Sequence, residues 1–143
     1  MRTQYIGWLS VLVAAALVGG CAAPTAALPD GAVPEGVAAS VINLEPGMVS
    51  KEAAIAAATE PFAALVSRAT VEAHLVSASD PTTVGADKVD STPLWIVHFA
   101  GVAMPISVPG GVPISSAVVR TLKHGYVYID AFTGAMILSR FEN

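Results

Sequence analysis

Three histidines, one cysteine and a pair of adjacent serines have the most chemical reach in this 143-residue chain. A structural metal wants ligands close in sequence or on adjoining strands. His74, His98 and His124 are far apart, no His-x-x-x-His is present, and no ligand cluster surrounds any of them. His74 and His98 meet only if their strands are neighbours with matching faces, so no metal ligand is assigned. Ser115-Ser116 lacks the Gly-x-Ser-x-Gly context of a nucleophile elbow. Glu52, Glu60 and Glu72 are spread over a helical and an extended segment and read as solvent-facing carboxylates, not as an acid–base pair. Gly110-Gly111 is flanked by prolines and lacks the lysine of a phosphate loop. Trp95, Tyr126 and Tyr128 fall in β-rich segments, where aromatic residues fill cores more often than they form ligand platforms. The expectation is therefore a non-enzymatic protein with no catalytic, cofactor-binding or metal residues.

The cysteine belongs to different chemistry. Arg2 is followed by an uncharged apolar run, residues 5–20. As a helix that run spans roughly 24 Å, short of the ~30 Å hydrocarbon core of a bilayer. A basic start, a short apolar run and small residues at its end read as a secretory signal peptide, residues 1–20. Val18-Gly19-Gly20-Cys21 resembles a bacterial lipobox, and Cys21 is the only cysteine in the chain. The resemblance implies a diacylglycerol thioether on Cys21, cleavage before it, and an extracytoplasmic, lipid-anchored protein on a bacterial membrane. Each buried CH₂ contributes about 0.8 kcal/mol, and two or more acyl chains make such anchoring stable. A lone cysteine also excludes an intramolecular disulfide framework. Seven basic against eleven acidic residues, a net charge of −4, argue against a nucleic-acid partner.

Residues 21–48 follow the anchor. Pro24, Pro29, Pro34 and Pro46, with Gly31, Gly36 and Gly47 and many alanines, give no periodicity that would bury a face. The segment is expected to be a disordered, semi-extended linker reaching about 90 Å when stretched and roughly 30 Å as a coil. Residues 37–44 are its most apolar part and are the part able to dock on the domain.

The elements that must position everything else lie in residues 49–143. Ser50 is placed to cap a helix whose first turn carries Lys51 and Glu52 and whose body is alanine-rich, 53–58. Pro61 stops or kinks it near Thr59. Alternation follows: Val71, Ala73 and Leu75 on one side, Glu72 and His74 on the other, a strand over 69–77. A polar loop leads to a second strand over 94–100, with Trp95, Val97 and Phe99 on one face and Leu94, Ile96 and His98 on the other. Residues 125–129 give a third strand, Asp130 to Gly134 supply turn chemistry, and 135–141 return as the fourth. Residues 101–124 are apolar but hold Pro105, Pro109, Gly110, Gly111 and Pro113. They read as a long loop in which 114–122 fits either an extra strand or a short helix, and as the expected seat of a specific function.

Ser50-Lys51-Glu52-Ala53-Ala54-Ile55, Leu94-Trp95-Ile96-Val97-His98-Phe99 and Tyr128-Ile129-Asp130-Ala131-Phe132-Thr133-Gly134, in this order, resemble the PepSY domain family. Ala135 departs from the pattern, where an acidic or polar residue is common, as does the length of 101–124. The resemblance implies an α+β fold, an N-terminal helix packed on a small antiparallel sheet of about four strands. It also implies a non-catalytic role, with Asp130 and Gly134 structural. Some members of that family restrain secreted metallopeptidases. The function expected is thus a membrane-tethered envelope lipoprotein that binds a protein partner, a peptidase among the candidates. The alternative is a lipoprotein that binds a small molecule or cell-wall ligand, with the apolar 102–119 stretch as one wall of its pocket.

Overall fold

Five antiparallel strands form one sheet in the order β1-β2-β3-β4-β5, each strand paired with its neighbour in sequence. The strands are β1 (Ala38–Val41), β2 (Thr70–Asp80), β3 (Val89–Pro105), β4 (Val119–Asp130) and β5 (Met136–Glu142). Between β1 and β2 come the helix α1 (Lys51–Thr59), a 3-10 turn (Glu60–Phe62) and the short helix α2 (Ala63–Val66). The computed structural model describes residues 26–105 and 119–143. The signal peptide, Cys21, Gly110-Gly111 and Ser115-Ser116 lie outside the described residues. Among the described residues no helix is long and apolar enough to cross a membrane.

The α+β class holds, and the hydrogen-bonding chemistry behind α1 is local. The Ser50 hydroxyl accepts from the Ala53 amide at 3.2 Å, and Glu52 sits in the first turn, where a negative charge complements the helix dipole. Ala54 and Ala58 are fully buried and let the helix lie close against the sheet. Pro61 stands in the 3-10 turn, so the helical path bends there instead of ending. One face of the sheet supplies the partner surface: Ala73 and Leu75 from β2, Trp95, Val97 and Phe99 from β3, Val127 and Ile129 from β4. The Trp95 indole N–H donates to the Val49 carbonyl at 3.1 Å, and the Val49 amide donates to the Ala131 carbonyl at 2.8 Å. Those two bonds tie the entry of α1 to the sheet.

The β4–β5 turn closes as its residue types require. The Asp130 carboxylate accepts from the amides of Phe132 (2.9 Å) and Thr133 (2.7 Å) and from the Thr133 hydroxyl (2.9 Å). Gly134 adopts φ +72°, the left-handed conformation that costs glycine least. The turn amides hold the Asp130 carboxyl below its ordinary range, with burial opposing them.

Three expectations are corrected. The sheet has five strands, not four, and the helix is not the first element, because β1 precedes it. Residues 26–48 are not a free spacer. Ala38–Val41 pair with β2 in the register Ala38↔Ser79 to Val41↔Val76, and Ala32 and Pro34 are buried. An Ala-Ala-Ser-Val strand has weak β-propensity, so its pairing comes from β2 and from apolar contacts of the segment before it. Residues 101–105 and 119–124 are not loop. β3 and β4 continue as a long hairpin through Val102↔Leu122 to Pro105↔Val119. Gly101 explains why the alternation breaks: at φ +80° it switches which parity faces the helix, so Phe99 and Val102 both enter the same core.

Candidate functional site

The face of the sheet turned away from α1 divides into an apolar and an ionisable half. Val76, Ala78, Leu94, Ile96 and Tyr128 form the apolar half, against which Leu28, Val33, Val37 and Ala39 pack. These four residues come from the segment expected to be a linker, which crosses the sheet as a strap before becoming β1. In the other half, the strand registers place Glu72, His98, Tyr126 and Arg140 side by side in one row across β2 to β5. Ala100, His124 and Glu142 form the row below it, and His74, Ile96, Tyr128 and Leu138 the row above. Paired residues of adjacent strands point to the same side. All three histidines of the chain therefore converge on this face.

His98 and His124 are bonded to each other, with Nε2 of the first and Nδ1 of the second 2.9 Å apart. In the neutral pair one ring N–H donates to the bare nitrogen of the other. The rings lie 5.2 Å apart at 25°, and Tyr126 stacks near both, at 4.9 Å from His98 and 6.0 Å from His124. The Tyr126 hydroxyl donates to the Gly31 carbonyl of the strap at 3.0 Å. Arg140 and Glu142 form an ion pair on β5. On β2 the Glu72 carboxylate stands 3.7 Å from His74 Nε2, which is enclosed without a hydrogen-bond partner among the described residues.

The electrostatics follow from this packing. Burial pushes the His98 pKa below the ordinary histidine value, and a charge on His124 or His74 pushes it further; Glu72 opposes both. Burial, then the Glu142 carboxylate, pushes the Tyr126 phenol up. A second polar pair sits under the β2–β3 connection, where the buried Tyr128 hydroxyl donates to Asp80 at 3.1 Å. Burial alone raises the Asp80 pKa, but hydrogen bonds from Thr82 and Tyr128 bring it below its ordinary value. The Tyr128 phenol is pushed well above its ordinary range by burial and by that carboxylate.

The structure thus brings His74, His98 and His124 to one face, meeting the condition that strand pairing had to satisfy. It does not complete a metal centre: among the described residues no group of three or more His, Cys, Asp or Glu is placed to hold an ion. Glu52, Glu60 and Glu72 stay apart, on the first turn of α1, its far end and β2, and all are exposed or nearly so. Trp95 lies in the helix-side core, and Tyr126 and Tyr128 are buried on the opposite face. Sequence reasoning missed Arg140, Glu142 and the strap. The even spacing of Tyr126 and Tyr128 on β4 and of Arg140 and Glu142 on β5 was the available signal. What the arrangement can do is hold and exchange a proton between two imidazoles beneath a docked segment.

Two other surfaces bear on function. β5 is an edge strand, unpaired on its outer side among the described residues. An open cleft of about 580 Å³ lies between α2 and the β3–β4 hairpin, lined by Ala64, Ser67, Arg68, Gly101, Ala103 and Thr121. Comparison with protein-family models, curated proteins and solved structures finds no match.

Proposed function

We propose that this chain is a PepSY-like lipoprotein of a bacterial envelope, anchored through a lipid on Cys21, and that its domain binds a protein partner without catalysis. A secreted peptidase restrained by the domain is the partner class that the sequence resemblance suggests. The single observation that carries the binding reading is the outer edge of β5. Native proteins usually blunt such edges, because a row of free backbone N–H and C=O groups templates another strand. Met136–Glu142 is proline-free and carries Ile137, Leu138 and Phe141; its two charged residues, Arg140 and Glu142, are engaged with each other, and a register shift at Ile137 is the one irregularity in its pairing with β4. An extended partner segment adding to that edge would gain backbone hydrogen bonds, with alternate side chains giving specificity.

Site-specific photocrosslinking in cells tests the reading. A photoreactive residue at the exposed Ser139 is expected to capture one dominant extracytoplasmic protein, and the same residue at the exposed Lys51 of α1 is expected to capture none. Equal capture at both positions removes the edge from the proposal, and no capture at Ser139 removes protein binding.

A second reading rests on the cleft beside α2. Arg68 is the cation among its lining residues, with Ser67 and Thr121 as hydroxyl donors, which suits a small carboxylate or phosphate ligand. A ligand held at 100 times its Kd stabilises the folded state by about 2.7 kcal/mol. The melting temperature should then rise by several degrees, and Arg68→Ala should abolish the rise.

A further inference from the structure

The His98–His124 pair supports the strap at the point where the strap crosses the ionisable half of the sheet. Tyr126 stacks near both rings and its hydroxyl holds the Gly31 carbonyl. Gly31 itself lies against His124: a methyl group built on its Cα would stand 3.7 Å from the imidazole Cε1. The pair can take up one proton without changing shape, because one N–H still lies between Nε2 and Nδ1. A second proton puts an N–H on both facing nitrogens at a separation of 2.9 Å, and neither has a lone pair left to accept. The rings must then part, and His98, only 8% exposed, has no room to turn unless its cover moves.

We propose that residues 28–41 form an acid-releasable strap: double protonation of His98 and His124 separates the two rings, breaks the Tyr126–Gly31 bond and lifts the segment from the sheet. This reading is independent of the lipid anchor and of the β5 edge.

The charged groups around the pair set its direction. Glu72, from β2, favours a charge on His98, whereas a charge on His74, from the same strand, opposes it. From β5, Arg140 and Glu142 pair with each other, although Arg140 Nη1 is enclosed without a hydrogen-bond partner among the described residues, and Glu142 stands beside His124 in the same row. On the strap itself Asp30, next to Gly31, is exposed and solvated. Burial adds to the repulsion between the two rings, so the doubly protonated pair is the form that does not fit the docked strap. Release would uncover Val76, Leu94, Ile96 and Tyr128 and would free the β2 edge that β1 now occupies. Acid would thereby replace the four-residue β1 edge by the eleven-residue β2 edge, with an apolar face beside it.

Hydrogen exchange followed by mass spectrometry on the full-length protein in detergent, at pH 7.5 and 5.0, tests this. After correction for intrinsic exchange, amides of residues 28–41 are expected to lose protection by up to about tenfold per pH unit for each proton taken up, starting below pH ~6.5. Amides of β4 should keep their protection. In His98→Gln the amide oxygen can still accept from His124, so strap protection should no longer change between the two pH values. Should that variant fail to fold, His124→Gln gives the same comparison. Unchanged strap protection in the wild type, equal loss in wild type and variant, or parallel loss across β4 would each overturn the proposal.

Discussion

Replacing Gly125 with alanine places a methyl group where the fold has left no space. Gly125 stands in β4 between Val102 of β3 and Phe141 of β5. An ideal Cβ would lie 2.9 Å from Phe141 Cδ1, 2.9 Å from Cε1 and 2.9 Å from Val102 Cγ2. The ring cannot simply swing away, because Phe141 packs edge-on against Phe62 at 5.3 Å. Val102 is fully buried. Alanine recovers roughly 0.5–1 kcal/mol of the strand entropy that glycine costs. Overpacking a filled core costs typically 1–3 kcal/mol. The clash involves two rigid neighbours on opposite sides, so overpacking wins and the net expectation is about 1–2 kcal/mol of destabilisation. For a domain of this size that lowers the melting temperature by roughly 5–12 °C. The assay is thermal and denaturant unfolding of wild type, Gly125→Ala, Phe141→Leu and the double variant. The smaller side chain should accept the methyl, so the double variant should be more stable than the sum of the two single losses by about 0.5–1 kcal/mol. A Gly125→Ala protein as stable as wild type, or strict additivity in the cycle, would refute the packing argument.

Cys21→Ser is expected to abolish incorporation of labelled palmitate and lipoprotein-type processing in a bacterial host; a serine variant labelled and processed like wild type would remove the anchor from the proposal. Asp130→Ala removes the acceptor for three hydrogen bonds in the β4–β5 turn and should cost about 1–2 kcal/mol near neutral pH. Because the folded Asp130 pKa is depressed, that contribution is complete above the unfolded value near 3.9 and is lost as pH falls through the folded one. Denaturant titrations at pH 7 and pH 3 should therefore show the gap between wild type and variant narrowing in acid.

Much of this molecule is legible in local chemistry. Ser50 with the alanine run after it specifies α1, since a cap and high propensity act within one turn. The alternation of Val71 to Leu75 and of Leu94 to Phe99 specifies two strands and both their faces, because the pleat has a strict period of two. Asp130 and Gly134 specify the turn, because side-chain acceptors and a positive φ are properties of single residues. The lipobox-like Val18-Gly19-Gly20-Cys21 is also a contiguous pattern, and it lies outside the described residues.

What stayed hidden depends on partners distant in the chain. The Ala-Ala-Ser-Val of β1 becomes a strand only because β2 offers a free edge. The proline-rich segment before it docks only because Val76, Ile96 and Tyr128, from three different strands, assemble an apolar surface for Leu28, Val33 and Val37. The long hairpin past Gly101 could not be followed by alternation, since a positive φ there reversed the parity. The histidine pair is the clearest case. His98 and His124 carry no motif, and residues so far apart in sequence meet only when β3 and β4 pair in one register. A shift of one residue would turn either ring to the opposite face. Residue types and their local spacing specified α1, the central stretches of β2 and β3 and the β4–β5 turn by themselves; the register of the sheet, a long-range balance of packing and pairing, decided which ionisable groups share a proton.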